Sequence, residues 1–253
     1  MIKSIAALFA IALVCGFVVA ARADEAADTM AIVDKAIKAV GGEEALTKIK
    51  AVSWKSKTTI KFAENENEGR SEVQMQGLDH YRQEFSGEFN GNQFKAVTVV
   101  AGDKGVRKFG DNRTDLKDAD LDNQKRTAYL TWIPVTLVSL KDKAFKLAPI
   151  AEEKVGDKPA VGLNVTAPDK KEFKIYFDKD SGLPVRMVAK VAGFGNQPEF
   201  LQEMDFTEYK DMGGIKKATK LVAKRDGQKF MTQELSDFKI LNKVDPKVFT
   251  DLE

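Results

Sequence analysis

The sequence has 253 residues, enough for one large domain or two small ones, with 40 basic and 38 acidic side chains. It contains one histidine and one cysteine, which excludes a multi-histidine metal site and an intramolecular disulfide. Hydrophobic residues make up 43% of the chain and charged residues 31%. This balance is typical of a globular protein and excludes both an intrinsically disordered chain and a polytopic membrane protein.

The N-terminus has the pattern of a secretory signal peptide. Lys3 precedes an uncharged, largely apolar run over residues 5–21, and the small-residue sequence Ala21-Arg22-Ala23 follows. We therefore expect a signal peptide over residues 1–23 that is cleaved after Ala23, and a periplasmic mature protein. An uncleaved membrane anchor is the alternative.

The remaining segment, residues 24–253, is expected to form a single domain because no Pro- or Ser-rich linker divides it. It has no cysteine, and its 38 basic side chains balance 38 acidic ones. An exported domain without disulfides depends on a sizeable hydrophobic core. Without a basic excess, it is not expected to bind nucleic acid.

Two regions show the spacing of an α-helix. Near the start of the mature chain, apolar residues recur every three or four positions: Met30, Val33, Ile37 and Val40. They predict a helix over residues 25–39 that ends at Gly41-Gly42, with a short helix over residues 43–50 after it. The same spacing recurs in mid-chain at Tyr129, Ile133, Leu137 and Leu140. Because Pro134 lies within this stretch, we expect one kinked helix or two helical pieces.

Elsewhere apolar and polar residues alternate, which is typical of half-buried β-strands. The polar residues 64–69 indicate a turn, and Asn90-Gly91 and Asp226-Gly227 predict hairpins. The predicted strands cover residues 52–62, 73–85, 94–100, 106–109, 145–150, 160–166, 172–178, 183–191, 199–209, 215–224 and 229–240.

This order of elements predicts an α+β fold. Its main element is a large antiparallel sheet of about ten or eleven strands, which must twist and curl at that length. The helices then pack on the concave face of the sheet. The predicted strands do not alternate with helices, so the pattern does not indicate a parallel sheet.

The sequence shows no pattern for catalysis, a cofactor or a metal. No Gly-x-Ser-x-Gly motif accompanies His80, the only imidazole, which we expect to be an exposed turn residue. Residues 178–182 begin like a calcium loop, but the twelfth position is Ala189 rather than glutamate. We therefore expect no enzyme activity. A hydrolytic function would require His80 to lie in a cleft beside a serine or a carboxylate.

Large apolar side chains are the remaining candidates for a functional site. They lie on the first half of the sheet and on the mid-chain helix: Trp54, Phe62, Phe94, Phe109, Tyr129, Trp132, Ile133 and Leu137. Such residues could simply fill the core. If the helices cover the sheet incompletely, they would instead line an apolar cavity suited to acyl chains, with the helix around Pro134 as a lid.

Three stretches carry a resemblance to a known family: residues 175–185 (IYFDKDSGLPV), 206–215 (FTEYKDMGGI) and 244–249 (VDPKVF). With the signal peptide and the order of elements, they resemble the LolA/LolB-type outer-membrane lipoprotein carriers and their relatives. The resemblance implies an open half-barrel of antiparallel strands, helices on its concave face, and a hydrophobic cavity for lipid chains.

Two functional hypotheses follow. The first is a monomeric, non-enzymatic periplasmic carrier that binds a lipid or a lipoprotein acyl chain, with no cofactor. The alternative is a protein-interaction or envelope-stress-sensing module that uses the same fold to hold an envelope membrane protein. A carrier should have a dry cavity beneath the mid-chain helix, whereas an interaction module can have that space filled.

Overall fold

The computed structural model describes residues 27–62, 65–89, 91–193 and 198–250. The predicted signal peptide over residues 1–23 lies outside this part of the chain. Among the described residues, no helix is both long enough and apolar enough to cross a membrane.

Three α-helices occur in the described chain: α1 over residues 27–40, α2 over Glu43–Lys48 and α3 over Asp118–Thr136. Short 3-10 turns cover Val138–Lys141 and Pro246–Phe249. The helix predicted near the start of the mature chain corresponds to α1. The predicted mid-chain helix is a single helix, α3, followed by the first of the 3-10 turns.

Thirteen strands form one antiparallel sheet in the described residues. Their bounds are β1 Ala51–Phe62, β2 Asn65–Gln76, β3 His80–Phe89, β4 Asn92–Ala101, β5 Lys104–Phe109, β6 Asn112–Leu116, β7 Lys146–Val155, β8 Lys158–Thr166, β9 Glu172–Asp178, β10 Pro184–Val191, β11 Phe200–Asp211, β12 Lys216–Arg225 and β13 Gln228–Leu241. The spatial order is β6-β5-β4-β3-β2-β1-β13-β12-β11-β10-β9-β8-β7.

Along the chain, the strands run from the centre of the sheet to one edge, and then from the opposite edge back to the centre. It runs from β1 to the edge strand β6, crosses through α3 to the opposite edge at β7, and returns strand by strand to β13, which pairs with β1. We call β2–β6 the first arm of the sheet and β7–β12 the second arm. The two edge strands, β6 and β7, do not pair with each other.

The crossing helix shows that the sheet is strongly curled. In a flat sheet β5 and β10, eight positions apart in the strand order, would be about 38 Å apart at ~4.8 Å between neighbours, whereas the 19 residues of α3 span only about 28 Å. Yet α3 contacts β4 and β5 on the first arm and β10 on the second. The predicted α+β architecture, a curved antiparallel sheet with helices on its concave face, is confirmed.

The number of strands, expected to be ten or eleven, is thirteen in the described residues. The predicted strand over residues 73–85 is divided at a turn around Gly77, whose φ is 65°. Residues 112–116 form the edge strand β6, where no strand was predicted. Most of the predicted turn over residues 64–69 also belongs to β2, which pairs with β1 along its whole length.

Each face of the sheet carries its own core. On the concave face, α1, α2 and α3 pack against strands from both arms, and we call this the concave core. The convex core is smaller and comprises Ala51, Val97, Val99, Val106, Val244 and Phe249. It forms because the chain after β13 passes to the convex side and lays the turn Pro246–Phe249 over β3 and β4.

Candidate hydrophobic ligand site

Five of the predicted site residues lie in the concave core. Trp54 comes from β1, Tyr129, Trp132 and Ile133 from α3, and Leu137 from the residue that follows α3; none is more than 7% exposed. They pack with the sheet in one continuous cluster. The space beneath α3 is therefore filled by the protein's own side chains, and a ligand-binding role for these five residues stays a prediction.

Arg126 anchors α3 to the second arm. Its buried guanidinium donates hydrogen bonds to the main-chain oxygens of Lys190 (3.0 Å) and Glu172 (2.7 Å) and to the Tyr129 hydroxyl (2.6 Å). It also pairs at 3.2 Å with Asp169, which accepts a further hydrogen bond from Tyr129. Burial and the bond to Asp169 raise the pKa of Tyr129 above its usual range. Opening the expected lid would break this whole set of contacts.

Trp54 forms the floor of the concave core together with two side chains that sequence analysis did not single out. The Phe238 ring stacks with the Trp54 ring at a centroid distance of 6.3 Å. The Lys217 ammonium lies 5.6 Å from the centroid of the Trp54 ring. Lys217 is 5% exposed, and burial lowers its pKa to about 8.

Two further predicted residues come together elsewhere, on the concave face of the first arm. Phe94 on β4 lies between Phe85 on β3 and Phe109 on β5, with ring centroids 5.6 and 5.9 Å apart. Strand register places all three side chains on the concave face. None belongs to either core, and Phe109 is 50% exposed. We call these three residues the aromatic row. The side chain of Phe62, the eighth predicted residue, lies outside the described part of the chain.

Two glycines explain why the rings of the row lie against the sheet. A Cβ on Gly69 would overlap the Phe85 ring, and a Cβ on Gly87 would come within 3.3 Å of the Phe94 ring. Gly69 and Gly87 are paired across β2 and β3. Because glycine has no side chain, the aromatic rings can lie directly against the backbone of the neighbouring strands.

A second aromatic cluster also lies on the concave face, but on the opposite half of the sheet from the aromatic row. The rings of Phe200 on β11 and Phe230 on β13 meet edge to face at 5.9 Å. The Arg225 guanidinium stacks on both of them, 4.0 Å from the Phe200 centroid and 5.5 Å from that of Phe230. This cation is thus held by its own aromatic neighbours.

Two surface depressions among the described residues lie away from the row and from the space beneath α3. One, of about 520 Å³, is bordered by α1 and the turns around Ser181 and Gly214. The other, of about 630 Å³, lies beside Met212 and residues 237–240. Both are open to solvent, and neither is an enclosed apolar cavity.

The described residues assemble no metal site, since no three His, Cys, Asp or Glu side chains cluster in them. His80 begins β3, where its Nδ1 lies 2.8 Å from the Asp79 carboxylate and its ring meets the Phe249 ring edge-on at 5.2 Å. It borders neither depression.

Comparison with known proteins gives a likeness in fold but none in sequence. No protein-family model and no curated protein match the sequence. Solved structures of similar fold include three that cover most of this chain. A LolA superfamily protein from Nitrosomonas europaea has a TM-score of 0.57 and 9% identity, over 88% of this chain and 97% of that one. A DUF1329 family protein from Desulfovibrio piger has a TM-score of 0.55 and 11% identity, over 87% and 96%.

The third is an outer membrane lipoprotein-sorting protein domain from Vibrio parahaemolyticus, with a TM-score of 0.56 and 10% identity over 88% of this chain and 97% of that one. Each comparison covers 87–88% of this chain, although identity is low. The resemblance that the sequence motifs indicated is thus confirmed at the level of the fold: this chain has a LolA-like fold.

Proposed function

We propose that this protein is a non-enzymatic periplasmic carrier that binds a hydrophobic ligand on the aromatic row. The observation that carries the proposal is the row itself. Three phenylalanine rings lie side by side on the concave face outside both cores, and the outermost is half exposed. Apolar area kept in contact with water is unfavourable by about 25 cal/mol per Å², so a contiguous exposed patch is a mark of a binding surface.

The row suits a flexible apolar chain. Rings that lie against the sheet provide a flat apolar surface, and each methylene buried on it contributes about 0.8 kcal/mol. Several methylenes therefore give a reversible affinity without any change in the filled space beneath α3. The fold supports the proposal, since one protein that shares it is described as a lipoprotein-sorting domain.

The test is ligand binding by mature protein purified from its own host. We expect native mass spectrometry to detect a bound lipid, and a fluorescent fatty-acid probe to bind saturably. Phe94→Ser should weaken probe binding about tenfold or more. The matched control is Leu201→Ser, which removes an exposed apolar side chain (41%) from the convex face and should leave binding unchanged. Absence of both lipid and probe binding would contradict the proposal.

A protein-interaction module is the second candidate, and the filled space beneath α3 favours it. Both edge strands, β6 and β7, have one unpaired side in the described sheet, to which an extended peptide could add. Such a partner would protect the outward-facing amides of an edge strand from hydrogen exchange. A lipid would instead protect no backbone amide at either edge.

A further inference from the structure

Charge is segregated between the two faces of the sheet around the aromatic row. The register places every acidic side chain of β1–β6 on the convex face: Glu66, Glu68, Glu72, Glu84, Glu88 and Asp115. In the same strands, the only charged side chain that the register places on the concave face is Arg107. An anion that approaches the concave face of the first arm therefore meets one cation and no carboxylate from the strands.

Arg107 stands directly beside the row. It lies two residues before Phe109 on β5, on the same face, so the two Cα atoms are about 7 Å apart. Its side chain is partly exposed and makes no hydrogen bond or ion pair among the described residues. The first turn of α3 packs its apolar Leu121 over Gly105, which lies two residues before Arg107 on β5. The acidic residues of that turn form no ion pair with Arg107.

We propose that the ligand of the aromatic row is a long-chain fatty acid whose carboxylate binds the Arg107 guanidinium. This inference rests on the proposed function and specifies its ligand. The planar guanidinium can donate two parallel hydrogen bonds to a carboxylate, and charge-assisted bonds of this kind are among the strongest in proteins. The acyl chain then runs across Phe109, Phe94 and Phe85, away from the helices.

The other cations of the concave face are less suited to this role. Lys217 is buried at the floor of the concave core against Trp54. Arg225 is stacked between Phe200 and Phe230. Arg107 alone combines partial exposure, the lack of a partner in the described chain and a position next to an exposed apolar surface.

The test compares dodecanoate with dodecan-1-ol, which has the same chain and no charge, by isothermal titration calorimetry. Wild-type protein should bind dodecanoate at least tenfold more tightly, and the preference should fall when salt is raised from 20 to 500 mM. Arg107→Gln should bind dodecanoate about tenfold more weakly and dodecan-1-ol unchanged. Lys108→Gln removes the neighbouring cation on the convex face and is the matched control.

The outcomes separate this inference from the proposed function. Equal binding of acid and alcohol by wild-type protein, or an unchanged dodecanoate affinity in Arg107→Gln, would overturn the role of Arg107 and leave hydrophobic binding intact. If neither compound binds, the proposed function fails and this inference fails with it. Circular dichroism of both variants should show the wild-type fold, since both side chains are at the surface.

Discussion

The Phe94 ring lies over Gly87 of the neighbouring strand, 3.3 Å from the point where a Cβ on that glycine would stand. Phe85 has the same relation to Gly69 on the next strand. The aromatic row therefore depends on glycine at positions 69 and 87 as well as on its own phenylalanines. Any side chain at either glycine must displace a ring or bend the sheet.

Replacement of Gly69 by alanine tests this dependence. Because its Cβ would overlap the Phe85 ring, we expect Gly69→Ala to lower the free energy of unfolding by about 1–3 kcal/mol, the usual range for overpacking. Urea denaturation measures this loss. The double variant Gly69→Ala/Phe85→Leu should recover part of it, and Ser86→Ala, on the exposed convex face, should have almost no effect. Wild-type stability of Gly69→Ala would show that the ring does not occupy this space.

Lys217 should make stability depend on pH in the alkaline range. Its pKa is about 8 in the folded protein, against about 10.4 in an unfolded chain. Between these values the unfolded state binds more protons, so the free energy of unfolding should rise as the pH increases from 8 to 10.4. Below pH 8 the folded state carries a buried charge and this gain is absent.

Lys217→Met removes that charge and should stabilise the protein at pH 7 more than at pH 10. Guanidinium denaturation at the two pH values measures the difference. Lys216→Met, at the exposed neighbouring position, serves as the control and should show no such dependence. An equal effect of Lys217→Met at both pH values would contradict the assignment of a lowered pKa.

The anchor of α3 gives a third prediction. Arg126→Met leaves the main-chain oxygens of Lys190 and Glu172 without their guanidinium donors and Asp169 without its cation. We expect a loss of about 3 kcal/mol in the free energy of unfolding and faster hydrogen exchange in α3. Lys125→Met, which breaks an exposed ion pair on the same helix, should cost less than about 1 kcal/mol. Unchanged exchange in α3 for Arg126→Met would show that this contact set does not hold the helix.

The convex core gives a fourth prediction. Phe249 is 5% exposed and packs over the valines of β4 and β5. Phe249→Ala should therefore destabilise the protein by about 3 kcal/mol or more, as for other buried phenylalanines. Thr250→Ala, at the next and exposed position, should be close to neutral. If Phe249→Ala were equally neutral, the segment after β13 would not contribute to the fold.

Hydrophobic periodicity predicted the parts of the fold that bury one regular face. Val33 and Ile37 of α1, and Ile133 of α3, occupy the buried positions that their spacing indicated. Periodicity failed where an element buries little. The edge strand β6 has one buried residue, Leu116, and the start of β2 is rich in Asn and Glu, which are rare in strands.

The candidate site was predictable in composition but not in arrangement. Phe94 and Phe109 were named from the sequence, yet their contact depends on the register of β4 and β5, which no local pattern fixes. The charged residues Arg126 and Lys217 gave no signal, because a sequence pattern assigns such side chains to the solvent. The convex core was also missed, since it depends on where the chain after β13 passes.

Photochemical labelling with a diazirine-bearing fatty acid tests the central claim most directly, because it reports where the ligand lies. The labelled protein is digested and the modified peptides are identified by mass spectrometry, with unlabelled fatty acid as competitor. We expect competitor-sensitive labelling in β3–β5, around Phe85, Phe94 and Phe109. Labelling confined to α1, α3 or the depression beside residues 237–240, or labelling that the competitor does not reduce, would contradict binding on the aromatic row.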